Sequence, residues 1–182
     1  MKLYASRILG KTIDLIVDYL TFMFIPLVLV WRMDWLPGWD GLWVTLAMVA
    51  SLLGFANASA KQAEDGFFLG FPSYWNVVAY YVGLLAVEYG VAGSYVSLGA
   101  VLLLTVLTLV PVRFVYPNAA PSPWRAVVTV GGVAWLGLLL ALLPSFPGLP
   151  AWGGDWVLGL SFVYPAFYFG LSGWLDWRDR QS

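Results

Sequence analysis

The feature that most constrains this chain is a series of long apolar stretches from which charge is almost absent. Six of them run about Ile13–Trp31, Gly41–Ala58, Tyr74–Val91, Tyr95–Tyr116, Ala126–Leu143 and Asp155–Leu175. A hydrocarbon core needs roughly 17–25 apolar residues per helix, and each stretch is of that size. Turn chemistry separates them: Leu36-Pro37-Gly38, Ala120-Pro121-Ser122-Pro123, and the three prolines between Pro144 and Gly154. Alternating strands of the outer-membrane barrel type are absent. The pattern predicts an all-α polytopic membrane bundle with about six transmembrane helices, forming a single transmembrane domain over residues 1–182. Composition agrees. Of the 182 residues 61% are apolar and 10% charged, against about 25% charged in a soluble domain. A soluble enzyme and a disordered chain are both excluded. Pro26, Pro111 and Pro165 fall inside the stretches, where a bundle tolerates prolines as kinks.

Charge predicts the orientation. With the N-terminus cytoplasmic, Lys2, Arg7, Lys11, Lys61, Arg113, Arg125, Arg178 and Arg180 lie on or near the inner side, and only Arg32 lies outside. This is a strong positive-inside pattern. Trp31, Trp35, Trp39, Trp43, Trp152 and Trp156 then mark the outer boundary, and Trp75, Trp124, Trp174 and Trp177 the inner one. Such belts belong to bilayer proteins. The expected location is the inner, cytoplasmic membrane, multi-pass, with both termini cytoplasmic. A signal peptide is not expected, because Asp14 and Asp18 interrupt the first apolar stretch and no small-residue cleavage site follows.

The chain has no Cys and no His. That removes disulfides, Cys or His nucleophiles, Cys/His zinc sites, iron–sulfur clusters and His-ligated haem. No basic run suits nucleic acid, and no Walker, GxSxG or HExxH motif occurs. Chemistry must come from carboxylates, Lys, Tyr or water. Asp14 and Asp18 stand out, since their i, i+4 spacing puts both on one helical face. Like charges there repel, and a carboxylate below the membrane surface is costly. Oxygen-only ligands suit a hard divalent cation, Mg²⁺ or Mn²⁺. A second explanation stays open: Thr12 suits an N-cap, and the helix dipole favours an acid in the first turn. It covers Asp14 better than Asp18. Arg113 suits a phosphate, or else snorkels to lipid headgroups.

Gly10-x3-Asp14-x3-Asp18 matches the second half of the signature of the CDP-alcohol phosphatidyltransferase family. Three longer blocks resemble that family's bacterial phosphatidylcholine synthase branch: residues 13–26, 65–76 and 109–117, in the family's order. The resemblance implies an enzyme of phospholipid biosynthesis, with choline displacing CMP from CDP-diacylglycerol to give phosphatidylcholine. It implies divalent metal (Mn²⁺ or Mg²⁺) at the cytoplasmic mouth of the bundle. Asp14 is then a metal ligand, and Asp18 a ligand and the general base. Gly10, Lys11, Lys61, Arg113, Tyr19, Trp75 and Asn76 are the candidate substrate contacts. A quaternary ammonium favours aromatic faces. Tyr19, Phe67, Phe68, Phe71, Tyr74 and Trp75 lie near the same membrane face, as an interfacial belt would also place them. Family members are typically homodimers.

The first half of the signature, Asp-x2-Asp-Gly-x2-Ala-Arg, does not precede Gly10. The expectation is an N-terminally incomplete member, whose first two spans belong to a longer native chain or to a separate chain. A catalytically degenerate relative is the third explanation. Other headgroup acceptors such as serine or inositol rank below choline, because an anionic acceptor calls for more basic residues at the mouth. The alternative from another class is a non-enzymatic transporter or assembly subunit with Asp14 and Asp18 as a cation site.

Overall fold

The computed structural model describes residues 2–56, 61–62, 66–117 and 120–181. Helix α1 (Lys2–Tyr19) passes through a π-helical turn, Leu20–Phe24, into α2 (Ile25–Arg32). Pro26 accounts for that turn, because it has no N–H for the carbonyl four residues back. Just ahead of it the ladder widens, and the Ile25 amide donates to the Leu20 carbonyl, the geometry of a π-bulge. Helix α3 spans Asp40–Ala56.

Helix α4 (Trp75–Leu109) is 35 residues long and breaks at Gly90, where φ is 54° and ψ −130°. A side chain is disfavoured in that conformation and glycine is not. The two arms fold back on each other, since the Phe71 amide just before α4 donates to the Leu107 carbonyl near its end, at 2.9 Å. The arms are the expected third and fourth stretches, with one correction. The fourth ends at Leu109, not near Tyr116. Pro111 stops the helix instead of kinking it: Val110 before it is extended, with φ −85° and ψ 135°, as a residue preceding proline prefers.

Helix α5 (Trp124–Leu142) continues through a 3₁₀ turn, Leu143–Ser145. Helices α6 (Gly154–Ser161) and α7 (Val163–Asp179) form the last apolar segment. Pro165 cannot donate to the Ser161 carbonyl. The Tyr81 hydroxyl faces that oxygen at 3.1 Å and Ser161 Oγ at 2.9 Å, sharing its one proton between them, and accepts from Trp135 Nε1 at 2.9 Å. A neighbouring helix thus satisfies the group the proline frees.

Among the described residues, four helical segments are long and apolar enough to cross a membrane: Thr12–Arg32, Trp75–Leu109, Trp124–Ser145 and Gly154–Asp179. Asp40–Ala56 is apolar but has 17 residues. The sequence predicts six spans. The difference has two sources: the α4 hairpin is one continuous segment, and α3 is short. The bundle is nonetheless that of a membrane protein. Val130, Val133 and Leu140 on α5 are 69%, 66% and 64% exposed, an outward apolar surface that water would not support.

The sequence does not anticipate a small antiparallel sheet, in the order β1 (Lys61–Gln62), β2 (Phe67–Leu69), β3 (Arg113–Val115). Phe67 pairs with Val115, Phe68 with Phe114 and Leu69 with Arg113. The sheet is docked on α7, where Ser172 Oγ accepts from the Val115 amide at 3.1 Å and Tyr168 donates to the Val115 carbonyl at 2.8 Å. The core beneath it contains Trp75, Phe71, Phe114 and Val115, continuous with Met23, Val44 and Val101 deeper in the bundle.

Gly70 links sheet and bundle. Its φ is +81°, and a Cβ there would lie 2.7 Å from the Thr108 carbonyl oxygen. Gly70→Ala is therefore expected to destabilise by about 2 kcal/mol or more, seen as a fall of about 5 °C in the thermal midpoint. Ser97 behaves oppositely. It is fully buried on α4, and among the described residues its hydroxyl has no hydrogen-bond partner. Such a group costs desolvation without return, so Ser97→Ala is expected to leave the midpoint unchanged or raise it.

Candidate active site

The aspartates lie inside α1, not at its start. The helix begins at Lys2, so Thr12 is not an N-cap and Asp14 is not in a first turn. The dipole effect fades within one turn, which removes the structural explanation for Asp14. Asp14 is exposed, and Asp18, one turn further on, is half-buried. Among the described residues neither carboxylate is in an ion pair, and no group of three or more acidic residues gathers to hold a metal. Two carboxylates on one helical face fit a hard divalent cation in kind. In number they fall short of the roughly six oxygens such ions take.

Tyr19 ties this end of α1 to α3. Its hydroxyl donates to the Met48 carbonyl at 3.3 Å, and its ring meets Phe55 edge-on at 6.3 Å. Trp75 reaches the same helix, donating from Nε1 to Ser51 Oγ at 2.6 Å while fully buried. Tyr19 and Trp75 thus both rest on the last turns of α3. Gly10 is exposed on α1, with open space where a Cβ would be. Asn76 is exposed and lines a separate groove with Tyr80 and Leu139. The side chains of Lys11 and Lys61 lie outside the described residues.

Arg113 is held by carboxylates of α7. Nε donates to Asp176 Oδ1 at 3.0 Å and Nη2 to Asp179 Oδ2 at 3.2 Å, with the guanidinium 4.9 Å over the Phe67 ring. Asp176 is buried and also holds Arg180 Nε at 3.0 Å, and Arg180 Nη2 donates to the Pro111 carbonyl at 2.9 Å. This network clamps β3 to the end of α7. The sequence singled out Arg113 but not its partners. The signal was there in Asp176-Trp177-Arg178-Asp179-Arg180, a run of alternating sign, but nothing in the spacing says which charge pairs across 63 residues.

The aromatic cluster is largely packing. Phe67, Phe71 and Trp75 are buried, and Phe71 stacks on Phe169 at 6.3 Å. Phe68 and Tyr74 are half-buried. Burial pushes the Tyr74 phenol above its ordinary value, with Tyr116 and Tyr164 adding to the effect, so it stays neutral.

Curated relatives carry the assignment further. Over 173 residues the chain is 35% identical to a phosphatidylcholine synthase of Pseudomonas aeruginosa, an alignment covering 93% of this chain and 67% of that protein. The chain belongs to the phosphatidylcholine synthase family. Two other members agree. The phosphatidylcholine synthase of Mesorhizobium japonicum is 32% identical over 72% of this chain and 48% of its own length. That of Bradyrhizobium diazoefficiens is 35% identical over 71% and 47%. The chain thus spans two thirds of the first and about half of the other two. No family profile and no solved structure matches it.

Proposed function

We propose that this protein transfers the phosphatidyl group of CDP-diacylglycerol to choline, giving phosphatidylcholine and CMP. The observation that carries the reading is the 35% identity to a phosphatidylcholine synthase over 93% of the chain. The location of Asp14 and Asp18 inside α1, where no helix-end effect accounts for them, supports it.

In the reaction the choline oxygen attacks the phosphorus that bears diacylglycerol. A new P–O bond forms, the diphosphate P–O bond breaks, and CMP leaves with the electron pair. The choline proton passes to Asp18, the half-buried member of the pair, and from there to solvent. Asp14 and Asp18, facing the same way one turn apart, would hold Mg²⁺ or Mn²⁺, which would neutralise the diphosphate and the leaving CMP. Substrate phosphates and water would complete the coordination. Phosphoryl transfer is largely positioning and charge stabilisation. Tyr19 contributes positioning, because its bond to Met48 fixes the end of α1 on α3.

The same reading carries the topology. Six crossings run through α1–α2, α3, the two arms of α4, α5, and α6–α7, with both termini cytoplasmic in the inner membrane. The excess of basic residues on one side supports it. The test is expression in a bacterium that makes no phosphatidylcholine, grown with labelled choline. Labelled phosphatidylcholine in the membrane is expected. Its absence, with the protein present in the membrane, would overturn the proposal.

A further inference from the structure

A second feature lies on the end of the bundle that carries Arg113 and Arg180, and none of its lining residues is among the candidate substrate contacts named above. A groove of about 290 Å³ opens between the start of α5 and the second half of α7. Helix α7 supplies Phe167, Gly170, Leu171 and Trp174, and α5 supplies Trp124. The α7 residues recur at steps of three and four, which puts them on one face. Trp124 stands edge-on to Trp174 at 6.1 Å and tilted to Phe167 at 6.5 Å. Gly170 leaves the floor open: a Cβ there would meet nothing within 4 Å.

One turn past Trp174, Arg178 continues the stripe. Its guanidinium sits 5.1 Å over the Trp174 ring, and the side chain is 55% exposed. It contacts Asp179 Oδ1 at 3.4 Å, while Arg113 takes Asp179 Oδ2 at 3.2 Å. Around the mouth Asp176 and Asp179 are engaged by Arg113 and Arg180. With Arg178 and the exposed Arg125 next to Trp124, the arginines outnumber these two carboxylates, and the mouth carries net positive charge. An apolar slot with tryptophan walls and a cation at its polar mouth matches an acyl chain joined to an anion.

We propose that this groove binds an anionic phospholipid, with one acyl chain along Gly170 and Leu171 and the phosphate at Arg178. A zwitterionic lipid brings its own cation to the same place and binds less well.

The test is the thermal midpoint of the purified protein in detergent, with phosphatidylglycerol or phosphatidylcholine added. Phosphatidylglycerol is expected to raise the midpoint by about 3 °C or more, and phosphatidylcholine by clearly less. Gly170→Leu fills the floor and should abolish that gain. Its lipid-free midpoint should hold or rise, since leucine favours a helix interior over glycine. Arg178→Gln should reduce the phosphatidylglycerol gain to that of phosphatidylcholine. Equal gains from both lipids in the parent protein would overturn the proposal, as would an undiminished gain in Gly170→Leu. If Gly170→Leu proves unstable, Arg178→Gln decides alone: a retained preference for phosphatidylglycerol overturns it.

Discussion

Replacing Asp18 with Asn is expected to slow phosphatidylcholine formation by about 10²–10⁴-fold, the range typical of a lost general base. The amide keeps the shape of the side chain but takes no proton. Binding of CDP-diacylglycerol should largely survive, because taking up the choline proton is not part of holding the lipid. The check is paired: turnover from CMP release, and lipid affinity from equilibrium binding to the same preparation. Asp14→Asn should instead raise the divalent-metal concentration needed for half-maximal rate. An Asp18→Asn protein with unchanged turnover would remove the base assignment. One that fails to bind the lipid at all would make Asp18 a binding residue.

Asp176→Ala should have the largest effect on stability. Asp176 is buried and accepts from two arginines that belong to different parts of the chain. Removing one partner of a buried ion pair strands the other charge, at about 3–5 kcal/mol. Arg180 is 59% exposed and Arg113 keeps Asp179, so the expected cost is smaller, about 2–3 kcal/mol. That corresponds to a fall of about 5–10 °C in the thermal midpoint. The loss should appear first as loosening of β3 from α7, read as faster amide exchange at Val115, whose N–H is bonded to Ser172. A midpoint within 1–2 °C of the parent would show that the network is not what holds the sheet.

Helix positions were legible because apolar run length is a direct consequence of bilayer thickness. Among the described residues all of the predicted stretches are mainly helical, and the structure departs from the pattern at ends near Pro and Gly. Pro111 looked like a tolerated kink. It ends α4 because the segment after it finds strand partners in Phe67–Leu69, contacts between residues over 40 positions apart that no local pattern reveals. Pro26 and Pro165 stay within helical segments, the first through a π turn and the second because Tyr81 covers the freed carbonyl. The aspartates were legible as a pair from spacing alone. Their setting was not, since nothing in the spacing shows that α1 runs from Lys2 to Tyr19. Arg113 shows the other limit. Its charge and depth were readable, but its partners sit on α7, and only the fold brings them within 3.2 Å.

The central claim is that choline is the acceptor and CDP-diacylglycerol the donor. The most direct measurement is CMP release by the purified protein in mixed micelles with CDP-diacylglycerol and Mg²⁺ or Mn²⁺, with and without choline. The account predicts release that requires choline and matches phosphatidylcholine formed one for one. CMP release that proceeds equally without choline, or with serine in its place, would contradict it.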